Sequence, residues 1–149
     1  MKKKIVIFIS GRGTNALNII SEFRDSDKIS VIKVYSNNEN STFLKGQNNL
    51  KTNISYFSND QLSLQVFEEL KIIDPDLIVL AGFLKKIPTI YIDYFKDKII
   101  NIHPSLLPSY GGKGMYGSKI HNKVIENNEK ETGITCLLYT SDAADDGLC

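Results

Sequence analysis

Two hydrophobic patterns alternate along this chain. In some stretches apolar residues run without interruption, and in others they return every third or fourth position. KKKIVIFIS (2–10) is a continuous β-branched run closed by Gly11, the signature of a strand buried on both faces. NALNIISEFRD (15–25) follows, with Ala16, Ile19, Ile20 and Phe23 at helical spacing. KISVIKVYSN (28–37) predicts a second strand, and the polar segment 38–50 has only a weak helical pattern. NISYFS (53–58) predicts a short third strand, and 59–73 an amphipathic helix with an acidic start. PDLIVLAGF (75–83) is a fourth strand, 87–95 a short helix and DKIINIH (97–103) a fifth strand. A long irregular loop (104–117) leads to a helix over 118–129, and TGIT (132–135) opens another strand. Strand and helix in alternation predict one α/β domain built on an open, mostly parallel sheet, with helices on both faces joined by right-handed crossovers.

Composition narrows the function classes. The chain has 149 residues, 42% hydrophobic and 23% charged, ordinary for one globular domain. A formal net charge of +1 gives no electrostatic case for nucleic acid or an anionic membrane. No apolar run approaches the ~18 residues of a membrane span, and the run after MKKK is too short for a signal peptide. A cytoplasmic location is the expectation. Cys136 and Cys149 have neither the number nor the spacing of a disulfide framework or a metal site.

In open α/β sheets ligands bind beyond the carboxyl ends of the strands, so three strand ends carry the candidate chemistry. SGRGTN (10–15) sets two glycines and a hydroxyl between a strand and a helix. Free amides at a helix start, with glycine permitting close approach, make an anion site, so Gly13, Thr14 and Asn15 are candidates to hold a phosphate. The third glycine of a dinucleotide fingerprint and the GK[ST] of a Walker loop are both missing. The same residues also suit a tight turn with Asn15 as helix cap. LAGFLKKI (80–87) leaves its strand through small residues, exposing backbone that can read a planar heterocycle; taken alone, the segment is better read as a glycine turn with two solvated lysines. NIHPSLLP (101–108) places Asn101 and His103 on one side of a strand, and Pro104 stops the strand there. An amide donor beside a protonated imidazole suits a carbonyl oxygen becoming an oxyanion, and imidazole moves protons near neutral pH. A capped strand end with a hydrogen-bonded histidine is the plainer alternative. His121 lies in a polar helix and is expected at the surface. No nucleophile elbow or Ser–His–acid set is present, which points to direct acyl transfer.

ISGRGTN, DLIVLAGFLKKI, NIHPSLLPSYGGKGMYG and ETGIT stand in one order and spacing. On them the chain, from about Lys3 to Thr135, resembles the folate-dependent phosphoribosylglycinamide formyltransferases. NIHPSLLP is shared with other folate formyltransferases, whereas GRGTN and GGKGMYG favour the glycinamide ribonucleotide branch. The resemblance implies a Rossmann-like formyltransferase fold. It also implies transfer of a formyl group from 10-formyltetrahydrofolate to the amine of glycinamide ribonucleotide in purine synthesis. Gly13, Thr14 and Asn15 would bind the substrate phosphate. Leu84, Lys85, Lys86 and Ile87 would line the folate site through backbone contacts, with Asn101 also on the folate side. Asn101 and His103 would stabilise the tetrahedral intermediate, His103 also giving a proton to the leaving nitrogen. No metal and no nucleic-acid or membrane partner is implied.

The sequence departs from that family in two places. The arginine on the family's folate side aligns with Asn59, which carries no fixed charge. The family also continues past TGIT with a histidine and then an aspartate that keeps the catalytic histidine protonated. Leu137 and Ala144 stand at those positions, and Asp142, Asp145 and Asp146 are out of register. The tail CLLYTSDAADD reads as one frame of a transposase adaptor used in sequencing libraries, so 136–149 is expected to be adaptor-derived. The domain would then be incomplete at its C-terminus, impaired or inactive as written, with an unpaired edge and exposed apolar surface. Two rival functions stay open: formylation of another amine, on an initiator aminoacyl-tRNA or a nucleotide sugar, and a non-catalytic phosphate-binding module.

Overall fold

The computed structural model describes residues 1–45, 52–62 and 64–140. The apolar run forms strand β1 (Lys3–Ile9), in which Val6 to Ile9 have no exposure at all. It is flanked by β2 (Ile29–Ser36) and β4 (Leu77–Ala81) in a six-stranded sheet of order β3-β2-β1-β4-β5-β6. β3 (Asn53–Tyr56) and β5 (Ile99–His103) extend it outward, and these five strands are parallel. β6 (Thr135–Leu138) pairs antiparallel with β5. The alternating pattern along the chain is thus realised as an α/β sheet with helices on both faces.

Strand alternation sends neighbouring side chains to opposite faces, and each face builds its own core. On one face Val6, Phe8, Ile78, Leu80 and Ile99 pack with Val66, Phe67 and Leu70 of α3 (Gln65–Ile73) and Tyr91 and Ile92 of α4 (Thr89–Tyr94). On the other, Ile5, Ile7, Ile9 and Val34 pack with Ala16 and Ile20 of α1 (Thr14–Glu22) and Phe43 of α2 (Thr42–Lys45). α5 (Ser118–Glu126) buries Ile120.

β2 breaks its own alternation. Ile5 pairs with Val31 and Val6 with Lys33, which leaves Ile32 as a bulge and turns Lys33 and Tyr35 toward the α3 face. Lys33 is therefore a buried ammonium, only 7% exposed, bonded to Glu69 of α3 at 2.8 Å and lying over the Tyr35 ring. Burial alone would raise the Glu69 carboxyl, but the Lys33 hydrogen bond and charge outweigh it and lower it. The Tyr35 hydroxyl sits toward the same carboxylate without reaching hydrogen-bond geometry, and burial pushes it well above the usual phenol range.

The predicted helix over 59–73 is divided. Ser58 and Gln61 cap each other reciprocally, with the Ser58 amide donating to Gln61 Oε1 at 2.8 Å. That closes a single 3₁₀ turn (Asn59–Gln61) before α3 begins. Within the segment 38–50 the described residues include α2, and residues 46–51 lie outside the described residues. The last strand begins at Thr135 instead of Thr132. Among the described residues, Ile134 and Leu138 stay exposed beside this edge, and no helix is long and apolar enough to cross a membrane.

Candidate active site

The topology brings the three strand ends together. The chain builds β1, β2 and β3 to one side and then returns to set β4 on the other side of β1. The loops that follow β1 and β4 leave in opposite directions and open a crevice between them. β5 lies next to β4, so its end borders the same crevice.

The turn after β1 is fastened from two sides. Ser10 N–H donates to Gly82 O at 3.1 Å, and Leu84 N–H donates to Ser10 Oγ at 2.9 Å, which stitches the two loops together. Asn38 Nδ2 donates to Ser10 O at 3.3 Å, and the Ser41 hydroxyl donates to Gly11 O at 2.8 Å. Gly13, at φ +73, is the helix cap, and its carbonyl accepts the Leu17 amide at 2.9 Å. The cap therefore falls at Gly13, and Asn15 is a helical residue: only a glycine adopts this left-handed turn without strain. Among the described residues, no side chain caps the helix start. Its first amides, at Thr14 and Asn15, are left to meet an anion. A Cβ added to Gly13 would sit 2.5 Å from Phe43 Cδ2 and 3.1 Å from Ile9 Cδ1. A glycine is thus required here by space as well as by φ.

The loop after β4 turns at Gly82 (φ +70). Leu84, Lys85 and Lys86 are exposed, whereas Ile87 is 2% exposed and belongs to the α3–α4 core. Of the four predicted folate-lining positions, Ile87 can contribute main chain only. The Leu84 amide is engaged by Ser10, which leaves its carbonyl and the main chain of Lys85 and Lys86 for a ligand. Asn59 is exposed in the 3₁₀ turn after β3, between Phe57, whose ring meets Phe8 and Phe83, and Leu62, whose carbonyl accepts the Tyr91 hydroxyl.

On β5, Ile100 and Ile102 enter the α1 core while Ile99 enters the opposite one. Asn101 and His103, both half-buried, share the face of Ile99. Asn101 lies between Leu80 of β4 and Leu137 of β6. Leu137 occupies the position where the resemblance expects a histidine, directly across from Asn101. Position 144, the expected aspartate, and Asp142, Asp145 and Asp146 lie outside the described residues. His103 Nε2 lies 3.2 Å from the Tyr110 carbonyl. The loop between them folds back on buried Ser105, whose hydroxyl donates to Ser109 O at 2.7 Å. Thr135 Oγ1 donates to Ser105 O and accepts the Leu107 amide, holding the loop against β6.

A cleft of about 460 Å³ opens on the β2 side of the crevice. Ser10, Asn37, Tyr56, Leu84 and Lys85 line it, so it adjoins the anion turn and the 82–87 loop but not Asn101 or His103. Sequence reasoning missed this Asn37 side, and also Ser10, Ser41 and Thr135. Their hydroxyls bond across 28 to 74 residues of chain, beyond the reach of local pattern.

Residues 3–148 match the formyl transferase family, a span that includes all three strand ends. The chain belongs to the formyl transferase family. It is 32% identical over 142 residues to the chloroplastic phosphoribosylglycinamide formyltransferase of Arabidopsis thaliana, covering 90% of this chain and 49% of that protein. It is 30% identical over 150 residues to the phosphoribosylglycinamide formyltransferase of Escherichia coli K12, covering 96% and 68%. The crystal structure of phosphoribosylglycinamide formyltransferase from Brucella melitensis superposes with a TM-score of 0.80 at 26% identity, over 95% of this chain and 75% of that one. The chain thus spans about half the length of the plant relative. In this family member the turn after β1, the loop after β4 and the Asn101–His103 strand end border one crevice.

Proposed function

We propose that this chain is the formyl-transferring part of a phosphoribosylglycinamide formyltransferase, acting on 10-formyltetrahydrofolate and glycinamide ribonucleotide. The observation that carries the reading is the Ser10 stitch. It fixes the uncapped helix start of Gly13–Asn15 against the 82–87 loop, one strand away from Asn101 and His103. A phosphate held by the amides of Gly13, Thr14 and Asn15 directs the rest of a small substrate along the crevice toward β5. The half-apolar Leu84 surface and neighbouring main chain suit a planar heterocycle, so the formyl donor fits on the β4 side.

In this reading the amine nitrogen attacks the formyl carbon directly. Asn101 Nδ2 donates to the oxygen as it becomes an oxyanion, and His103 supplies a second donor. The new C–N bond forms on the amine, the bond from the formyl carbon to the donor nitrogen breaks, and His103 carries the amine's proton to the leaving nitrogen. Each partner keeps its electron count, and no covalent enzyme intermediate is required.

Residues 136–149 are proposed to be adaptor-derived. The support is the frame match and Leu137, an aliphatic side chain placed across from Asn101. Pairing of β6 with β5 rests on main-chain groups that any non-proline residue supplies, so it fits this origin. Resequencing the source DNA across the Thr135 codon, without transposase adaptors, tests this. A histidine codon at 137 and an aspartate codon at 144 support it, and the present codons refute it. The substrate assignment is tested by competing glycinamide ribonucleotide against initiator aminoacyl-tRNA as formyl acceptors. Preference for the ribonucleotide supports the proposal, and preference for tRNA overturns it.

A further inference from the structure

Tyr110, outside the predicted site, meets its proton-moving group through its carbonyl. Its backbone lies at φ +56, a left-handed conformation that a bulky side chain adopts only when its surroundings impose it. The surroundings are specific. The Tyr110 hydroxyl donates to Glu129 Oε1 at 2.7 Å and accepts from Asn127 Nδ2 at 2.8 Å, both just beyond the end of α5. The phenol is raised above its usual range, first by that bond to Glu129, so it stays a donor. Anchored this way, the residue turns its carbonyl toward His103 Nε2, 3.2 Å away.

A carbonyl oxygen only accepts, so the imidazole nitrogen facing it carries a proton in every protonation state of the ring. That fixes the tautomer and leaves Nδ1 to exchange the proton. We propose that Tyr110 is a positioning residue for formyl transfer: its carbonyl, held by the Glu129–Asn127 anchor, locks His103 as the Nε2–H tautomer and makes Nδ1 the nitrogen that moves the proton. The chemistry balances. Nδ1–H donates to the oxyanion and gives its proton to the leaving nitrogen, and Nδ1 then takes the attacking amine's proton, so the ring ends with the protons it began with. The inference rests on the reading of His103 as the proton-moving group, but the tautomer is observable without any turnover.

The test uses the whole chain labelled with ¹⁵N-histidine. It contains 2 histidines, so His121→Asn assigns the pair. Long-range ¹H–¹⁵N spectra in alkaline buffer, on the neutral ring, are expected to show His103 as the Nε2–H tautomer alone. Tyr110→Phe keeps the ring but loses the anchor, and a mixture of tautomers is expected. Glu129→Gln keeps an acceptor for the Tyr110 hydroxyl and is expected to leave the single tautomer unchanged. Where turnover is measured, Tyr110→Phe should lower kcat roughly tenfold with little change in KM, short of the ~10² that an ångström of misplacement can cost. An Nδ1–H tautomer in the parent chain overturns the proposal, as does an unchanged Nε2–H tautomer in Tyr110→Phe. Expected tautomers with no formyl transfer would count against the function and leave the positioning role standing.

Discussion

Gly13→Ala is the substitution whose cost the structure sets most closely. A Cβ at this position lies 2.5 Å from Phe43 Cδ2 and 2.9 Å from Cγ, far inside ordinary contact. Phe43 is 1% exposed and cannot swing into solvent without vacating the α1-side core. Two penalties add. Holding alanine in the left-handed region costs about 1–2 kcal/mol, and forcing a methyl into a filled core costs about 1–3 kcal/mol. The lower entropy of the unfolded alanine chain returns ~0.4–1 kcal/mol. The net is a loss of about 1–4.5 kcal/mol, or roughly 2–18 °C in Tm for a domain of this size. The steric part belongs to the Gly13–Phe43 pair. Phe43→Ala alone should cost about 3–5 kcal/mol, but the double variant should cost about 1–3 kcal/mol less than the sum, because the small side chain at 43 admits the new methyl. Urea unfolding of the four proteins measures this coupling. Strict additivity, or a Gly13→Ala protein as stable as the parent, refutes the argument that Phe43 shapes the anion turn.

Other consequences follow from the same geometry. Asn101→Ala in an active formyl transferase should lower kcat by about 10²–10³ while leaving substrate binding nearly unchanged, because the donor acts on the developing oxyanion; equal losses in kcat and affinity would contradict that role. At the Lys33–Glu69 pair the two partners should behave unequally. Glu69→Ala strands a buried ammonium and should cost about 1–3 kcal/mol, discounted from a fully buried pair because Glu69 is 42% exposed. Lys33→Met removes the desolvated charge and should be neutral or stabilising in urea melts. Acid should weaken the fold through Asp76 and Glu69. The Asp76 carboxyl is lowered, chiefly by its hydrogen bond from Lys3 and also by the Lys4 amide, and Glu69 is lowered by Lys33 against its burial. Carboxyls lowered in the folded state bind fewer protons there than when unfolded. Their stabilisation is therefore present above the ordinary carboxylate range and lost as pH falls through the folded values. Tm should hold between about pH 6 and 8 and decline below about pH 5, with Asp76→Asn flattening the decline.

The centre of the sheet was legible because β1 and β4 are buried on both faces and therefore read as unbroken apolar runs. The same logic showed where the crevice lies, since each candidate motif follows such a run. The division of the 59–73 helix was also readable: Ser58 and Gln61 stand at capping-box spacing, but the helical periodicity beyond them outweighed the signal. What sequence could not show are the long-range constraints. That Gly13 must be glycine because of Phe43, that Ser10 joins two loops, and that Tyr110 reaches His103 all depend on tertiary packing.

Formylation of glycinamide ribonucleotide measures the central claim most directly. The gene product, carrying the codons found after Thr135 on resequencing, is mixed with 10-formyltetrahydrofolate and glycinamide ribonucleotide, and product is followed by mass spectrometry. Folate-dependent formylation, abolished when Asn101 and His103 are both replaced by alanine, is the predicted result. A folded product that forms no formylglycinamide ribonucleotide, or one that forms it undiminished without those two side chains, contradicts the account.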